Sequence, residues 1–294
     1  MPPPVVSIAM SMRNASASIS LTLQSLIDQR FTEWELLLLD DGSSDDSLAV
    51  AKRFRDERIT LLGNGRHLGL ATRMNEAVAA SRGRYIARMD ADDIAYPERI
   101  ARQVAYLEQH PEIDLLGTRA IIFDNAGEVV GQLPSGTSHQ EITARPWQSF
   151  YLAHPTWMGR SAWFRKYPYD ARLPKAQDYD LLLRSHATSR FACLPEILLG
   201  YRQERLSLGK TLATRMQVAQ AAMNFGKTRG AYIRPLFTLV QQLAKSGVDA
   251  LAILTGLHYR LLRHRALPVS SEDHEQWRQL WLRLNSESNA RCAE

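Results

Sequence analysis

The chain has 294 residues, 45% of them hydrophobic and 23% charged, an ordinary globular composition that excludes a disordered tail, a collagen and a disulfide-stapled miniprotein. Its two cysteines, Cys193 and Cys292, lie far apart and outside any CxxC spacing, which excludes a disulfide framework or a thiolate zinc site within one chain and points to a reducing compartment. The net charge of +5 is uneven: nine Lys or Arg stand against Asp249 alone between 210 and 267, giving +8 there, and such a segment faces either nucleic acid or an anionic membrane.

The N-terminus lacks a basic n-region, and Ser7, Ser11 and Arg13 break its apolar run, so the chain is expected to stay in the cytoplasm. From residue 5 to about 123, short apolar runs alternate with helix-period segments, the pattern of a βαβ parallel sheet. Val5 to Ser11 is the first predicted strand, and Ile19, Leu23, Leu26 and Ile27 then mark one helix face. Trp34 to Leu39 is a buried strand running into the turn Asp40-Asp41-Gly42-Ser43-Ser44. Ile59 to Leu62, a helix with Ala71, Met74 and Val78, and Arg84 to Met89 repeat the cycle, and the last strand ends in Asp90-Ala91-Asp92-Asp93. A helix with Ile100, Val104 and Leu107 follows, then a hairpin of Ile113 to Phe123 and Val129 to Leu133 around Asn125-Ala126-Gly127. Strand signals stop near 207, and three helical stretches follow: Leu212 to Lys227, Pro235 to Ser246 and Val248 to Arg265. The organisation expected is a catalytic domain over 1–206 and a basic helical region over 207–294.

The acidic clusters at 40–46 and 90–93 each follow an apolar strand directly, and ligands of open α/β sheets bind outside the carboxyl ends of the strands. One cluster alone reads as helix caps at ordinary turns. Two on neighbouring strand ends favour Mg²⁺ or Mn²⁺ shared with a diphosphate, since gathered carboxylates repel unless a cation intervenes.

These residues resemble the family 2 glycosyltransferases of GT-A fold. Val6-Ser7-Ile8-Ala9-Met10-Ser11-Met12-Arg13-Asn14 is similar to the family's first strand and nucleotide loop, and Asp40-Asp41-Gly42-Ser43-Ser44-Asp45 to its "DDGSxD" turn. Asn64, Gly69 and Arg73-Met74-Asn75-Glu76-Ala77 match its next segment, and Gly83 to Asp93 its "GxYIxxxDADD" block. His154-Pro155-Thr156 and Gln177-Asp178-Tyr179-Asp180-Leu181-Leu182-Leu183-Arg184 match the acceptor-side block and the "EDYDLxLR" helix. The resemblance covers about 1–205, with the motifs in order.

The resemblance implies a Rossmann-like, mostly parallel sheet flanked by helices, with Ser11, Asn14 and Asp41 on the nucleotide and Asp41 accepting from a ring N–H. It places Asp90 near the ribose and Asp92 on the metal that bridges the diphosphate of a nucleotide-sugar donor. Asp178 would be the general base for a glycan or polyprenyl-linked saccharide acceptor, with inversion at the anomeric carbon, and His154 and Gln177 acceptor-side residues. In this sequence Gln177 replaces the usual Glu before the base and Glu204 stands at a His position, so Arg202 or Arg205 would contact the diphosphate instead. The Gln-x-x-Arg-Trp signature of processive synthases is absent, which favours transfer of one sugar.

Read from the residues alone, Asp178 is also a helix N-cap and His154 a packed turn residue. A sugar-1-phosphate nucleotidyltransferase shares a similar sheet but carries a Gly-rich loop after strand one, where Ser11-Met12-Arg13-Asn14 has no glycine. A non-catalytic binding module of the same fold would not need Asp92 and Asp178. Leu236, Leu239, Val240 and Leu243 form an apolar helix face opposite Gln241, Gln242 and Lys245. Without readable nucleic-acid motifs, this face and Arg260, Arg263 and Arg265 suggest a peripheral position on the inner face of the cell membrane; the alternative is a packed subdomain or dimer interface.

Overall fold

The computed structural model describes residues 3–203, 207–257 and 264–292. Its first half follows the expected alternation: β1 (Val6–Met12), α1 (Ile19–Ile27), β2 (Trp34–Asp40), α2 (Ser47–Lys52), β3 (Ile59–Gly63), α3 (Leu70–Ala80) and β4 (Tyr85–Arg88). The short β5 (Ile94–Ala95) precedes α4 (Arg99–Gln109), and β6 (Leu115–Phe123) with β7 (Val129–Gln132) forms the predicted hairpin. Next come α5 (His139–Ile142), a 3₁₀ turn over His154–Thr156, β8 (Met158–Arg160), α6 (Ser161–Lys166), α7 (Gln177–Ser185) and β9 (Phe191–Arg202). The C-terminal region holds α8 (Leu208–Thr228), α9 (Ile233–Leu254) and α10 (Ser271–Cys292).

The strands make one sheet in the order β3-β2-β1-β4-β8-β6-β9-β5, with β7 beside β6. The first four are parallel, so β1, β2 and β4 all end on one edge; beyond β4 the sheet is mixed, with β8 antiparallel to both its neighbours and β9 parallel to β6. One face packs on α1 and α4 through Ile19, Leu23, Ile100 and Leu107, the other on α3, α6 and α7 through Met74, Trp163, Leu181 and Leu182.

Three features of the C-terminal region differ from expectation. The stretches 235–246 and 248–265 do not break at Gly247; α9 runs through it, because one exposed glycine costs a helix only about 1 kcal/mol. Arg260 and Arg263 lie outside the described residues. Further on, α10 returns to the catalytic sheet and packs beside α1, its Trp277 buried against Phe123 with ring centroids 4.5 Å apart and its indole N–H donating to the Gly127 carbonyl at 2.8 Å. Both glycines beneath these tryptophans are required: a Cβ on Gly200 would stand 2.2 Å from Trp277, and one on Gly127 2.2 Å from Trp281.

The third concerns the faces of α9, and it goes against the alternative of a packed subdomain. Its buried side is polar, formed by Thr238, Gln242, Ser246 and Asp249 with Pro235 and Ala252. Ile233, Leu236, Phe237, Val240, Leu243, Val248, Leu251 and Leu254 are exposed, Ile233 at 85%. At 100° per residue they fall within an arc of about 140° along a rod about 33 Å long. The apolar face thus points away from the protein, and packing cannot account for its composition.

Candidate active site

At the open edge of the parallel strands, side chains staple neighbouring loops. Asn14, in the left-handed region at φ 51°, accepts from the Ser44 N–H at 2.9 Å, while its own N–H donates to Ser43 Oγ at 3.2 Å. Asp45 accepts from the Ser16 N–H at 3.0 Å and from both the N–H and the hydroxyl of Ser47, which hold its carboxyl far below the usual range. The glycine- and serine-rich turn after β2 is therefore locked onto the loop after β1, with Ser11 half-buried at the end of that strand.

Asp41 is 3% exposed and organises the next loop. It accepts from the Leu68 N–H at 2.7 Å, the Gly69 N–H, Arg73 Nε at 3.0 Å and His67 Nδ1 at 2.7 Å. Burial opposes its charge, but these donors outweigh burial and lower its pKa. Both oxygens are thus engaged by protein, and a ring N–H would have to take over one of these positions. Arg73 also bonds Glu76 at 2.8 Å and Asn64 at 2.9 Å, so the Asn64–Glu76 motif is largely scaffolding.

The Asp90–Asp93 turn is pinned from below: Thr22 Oγ1 donates to the Ala91 and Asp93 carbonyls at 3.1 and 2.9 Å, and Ser18 Oγ to Ala91 at 3.1 Å. Asp90, Asp92 and Asp93 each present a carboxylate oxygen within 4.8 Å of the others. Asp90 is clamped by Arg88, whose Nη1 donates to it at 2.7 Å and whose Nη2 bonds its second oxygen. Although burial works against the Arg88 charge, Asp90 and Asp93 outweigh it and keep the guanidinium protonated. Asp93 is fully buried; burial and its neighbours Asp90 and Asp92 push its pKa well above the carboxylate range, and its Oδ2 has no hydrogen-bond partner among the described residues. Three converging carboxylates, one with an orphaned buried oxygen, fit a hard divalent cation.

Arg202 bonds to the aspartate turn directly, and its Nη2 has no hydrogen-bond partner among the described residues. Its N–H donates to Asp93 Oδ1 and its Nε to the Asp92 carbonyl, both at 2.9 Å. The guanidinium stacks over Phe123 at 4.7 Å and Trp281 at 5.7 Å, so in this structure it supports the aspartate turn and is braced by α10.

Asp90, His154 and Asp178 share a cleft of about 420 Å³ with Arg88, Phe150 and Tyr201. Asp178 is not the N-cap of α7; Ala176 holds that position at φ 57°, and Asp178 lies in the first turn with its carboxylate half-buried. Burial raises its pKa, partly offset by the first-turn N–H groups and Arg88. Gln177 is buried, its Oε1 without a partner among the described residues. His154 is a packed residue: its Nε2 meets the Tyr169 hydroxyl at 2.9 Å, and burial followed by Arg88 pushes its pKa well down, leaving a neutral imidazole.

Sequence reasoning missed Arg88 and Arg99. Arg99, 1% exposed, donates through Nη2 to the carbonyls of Arg88 at 2.7 Å and Pro155 at 2.8 Å, tying β4 to the 154–156 turn. The available signal, for Arg88, was an arginine ending an otherwise apolar strand, which needs a buried partner. A larger hollow of about 900 Å³ between α4, β9 and α10 carries none of these aspartates.

Comparison with known proteins agrees with this geometry. The sequence model described as "Glycosyl transferase family 2" matches residues 7–168. An uncharacterised glycosyltransferase of Methanocaldococcus jannaschii is 32% identical over 205 residues, covering 68% of this chain and 71% of that protein. WfgD of Escherichia coli, a UDP-Glc:α-D-GlcNAc-diphosphoundecaprenol β-1,3-glucosyltransferase, is 35% identical over 139 residues, 47% of this chain and 53% of that one. The mannosyltransferase PcManGT of Pyrobaculum calidifontis, solved with GDP-Man and Mn²⁺, superposes with a TM-score of 0.60 at 14% identity over 99% of this chain and 87% of its own, a likeness of fold. With its family model matched over more than half its length, this chain belongs to the family 2 glycosyltransferases of GT-A fold.

Proposed function

We propose that the chain is a metal-dependent, inverting glycosyltransferase that moves one sugar from a nucleotide-diphosphate donor to a lipid-linked saccharide in the synthesis of a surface polysaccharide. The observation that carries this reading is the cleft lined by both Asp178 and Asp90, the first residue of the aspartate turn. Asp92 and Asp93 would hold Mn²⁺ or Mg²⁺, which when bound supplies charge neutralisation for a departing diphosphate. Asp178 takes the proton from the acceptor hydroxyl as its oxygen bonds to the anomeric carbon. The carbon–oxygen bond to the nucleoside diphosphate breaks with its electron pair on the diphosphate, and attack from the opposite side inverts the centre. Arg88 fixes the position of Asp90 and keeps positive charge beside the cleft. WfgD, whose acceptor is a saccharide on diphosphoundecaprenol, supports the acceptor class.

Thermal-shift measurements with UDP, GDP and dTDP sugars test donor use. One nucleotide sugar with Mn²⁺ should raise the melting temperature, since ligand at 100 times its Kd adds about 2.7 kcal/mol of stability. Loss of that shift in EDTA is expected; no shift with any donor would defeat the reading.

The exposed apolar face of α9 supports a peripheral position on an anionic membrane surface. No helix among the described residues is long and apolar enough to cross a membrane. Interfacial helices combine an apolar face with basic flanks, each Lys or Arg near the surface adding about 1 kcal/mol. The chain should therefore co-sediment with phosphatidylglycerol-containing vesicles at low salt, and poorly with phosphatidylcholine alone. Leu236→Glu with Leu251→Glu should release it without altering nucleotide binding; undiminished sedimentation of that variant would refute the assignment.

A further inference from the structure

A second cavity, of about 510 Å³, is lined by α7, α8 and α9 and includes Asp178. The two share Phe150, Leu152 and Asp178, so one carboxylate lies at the junction of both. Their electrostatics differ. The first is lined by Arg88 and Asp90 near an acidic turn; the second by Arg215, Lys245 and Arg265, facing Asp249 in addition to Asp178. Arg215 is fixed to the fully buried Asp249 by Nε at 2.7 Å and to Gln242 by Nη1 at 3.1 Å, while Arg265 reaches the second Asp249 oxygen at 2.7 Å. One carboxylate thus orders two guanidinium groups, and Lys245 stands beside them, so the pocket gathers three basic side chains against Asp249 and Asp178. This pocket selects an anion with several acceptor oxygens.

Gln242 and Asp249 belong to the buried side of α9, Lys245 is exposed beside them, and the other side of that helix is the apolar stripe. A ligand entering past Lys245 therefore has its anionic part beside the base and its remainder beside an apolar surface. In a single sugar carried on a diphosphate, one ring separates the attacking hydroxyl from the phosphates. We propose that this pocket binds the diphosphate of a prenyl-linked acceptor, Arg215, Lys245 and Arg265 holding the phosphates so that the sugar hydroxyl meets Asp178, with the prenyl chain leaving along α9. The inference rests on the glycosyl-transfer reading for the role of Asp178, and it extends that reading to a second, metal-free diphosphate site.

The test is calorimetric titration of the full chain with farnesyl diphosphate below its micelle concentration, in EDTA so that no diphosphate is held through a metal at the aspartates. Farnesyl diphosphate should bind more tightly than either farnesol or inorganic diphosphate. Lys245→Glu should weaken it about tenfold or more, the loss of a charge-assisted contact, while Lys245→Arg should retain most of it. Arg234→Glu, on the same helix but outside the pocket, should leave it unchanged. Absence of binding, equal affinity for farnesol, equal affinity for inorganic diphosphate, or equal losses in Lys245→Glu and Arg234→Glu would each overturn the proposal. Donor-induced thermal stabilisation with Mn²⁺, measured in the same variants, separates this failure from failure of the transferase reading: it should persist in Lys245→Glu.

Discussion

Asp178→Asn is expected to lower turnover by about 10²-fold or more while leaving donor affinity and fold intact, the scale of a lost general base. The structure sharpens this expectation because Asp178 occupies the first turn of α7 and not its cap, which Ala176 provides. Losing the carboxylate therefore forfeits only its interaction with the helix N-terminus, about 0.3–1 kcal/mol, and removes the cost of keeping a charge half-buried. The melting temperature should barely move. Since burial raises the Asp178 pKa, the proton stays on to higher pH than on an ordinary aspartate, and the ionised base is lost as pH falls through that raised value. The acid limb of kcat against pH should accordingly lie higher than that of an ordinary aspartate in the wild type and vanish in the residual activity of the variant. Near-normal turnover, or an unchanged acid limb, would leave Asp178 as a first-turn acid and nothing more.

The parts of this site written in local sequence are those where one strand end carries the chemistry. Asp90-Ala91-Asp92-Asp93 was legible because an apolar strand stops at four residues that can serve only at a ligand-bearing edge or a turn. What sequence reading missed is spread along the chain. Asp41 is adjacent in sequence to an acidic cluster, yet its partners Leu68, Gly69 and Arg73 come from the following loop and helix, so a residue expected to face ligand is engaged by protein. Arg202 ends β9, a strand the sequence reading did not identify, and α10, nearly eighty residues later, supplies the indole beside its guanidinium. The composition of α9 correctly indicated an amphipathic helix without revealing which face is inside. Periodicity gives the angle between faces, and only the polar partners Arg215 and Arg265 of Asp249 show that the hydrophilic side is buried.

These distant contacts also explain why the aspartate turn is rigid before any ligand arrives. Thr22 from α1, Arg202 from β9 and Arg88 from β4 each hold a different atom of it, and Arg202 is itself braced by a helix beyond the basic region. The proposed metal site would thus spend little binding energy on ordering its ligands, the condition under which fixed charges stabilise a departing diphosphate most effectively.

Asp92→Ala should abolish Mn²⁺-dependent donor binding, a loss of about 10²-fold or more, because outer-shell changes alone cost metal sites about 10–100-fold. The comparison that gives the result meaning is Asp93→Asn. Asp93 is the buried member of the cluster, with one oxygen on the Arg202 N–H and the other unpartnered among the described residues. If the cation draws on that second oxygen, Asp93→Asn should weaken Mn²⁺-dependent binding of the nucleotide as well. In metal-free buffer, however, it should be neutral or stabilising, since the amide relieves the repulsion by Asp90 and Asp92 that burial intensifies. A purely structural Asp93 would behave oppositely, losing stability without metal and keeping metal affinity. Calorimetry of Mn²⁺ and nucleotide, paired with melting curves in EDTA, separates the two. Unchanged metal-dependent affinity in Asp92→Ala would overturn the metal assignment, because among the described residues no other cluster brings three carboxylate or imidazole ligands together.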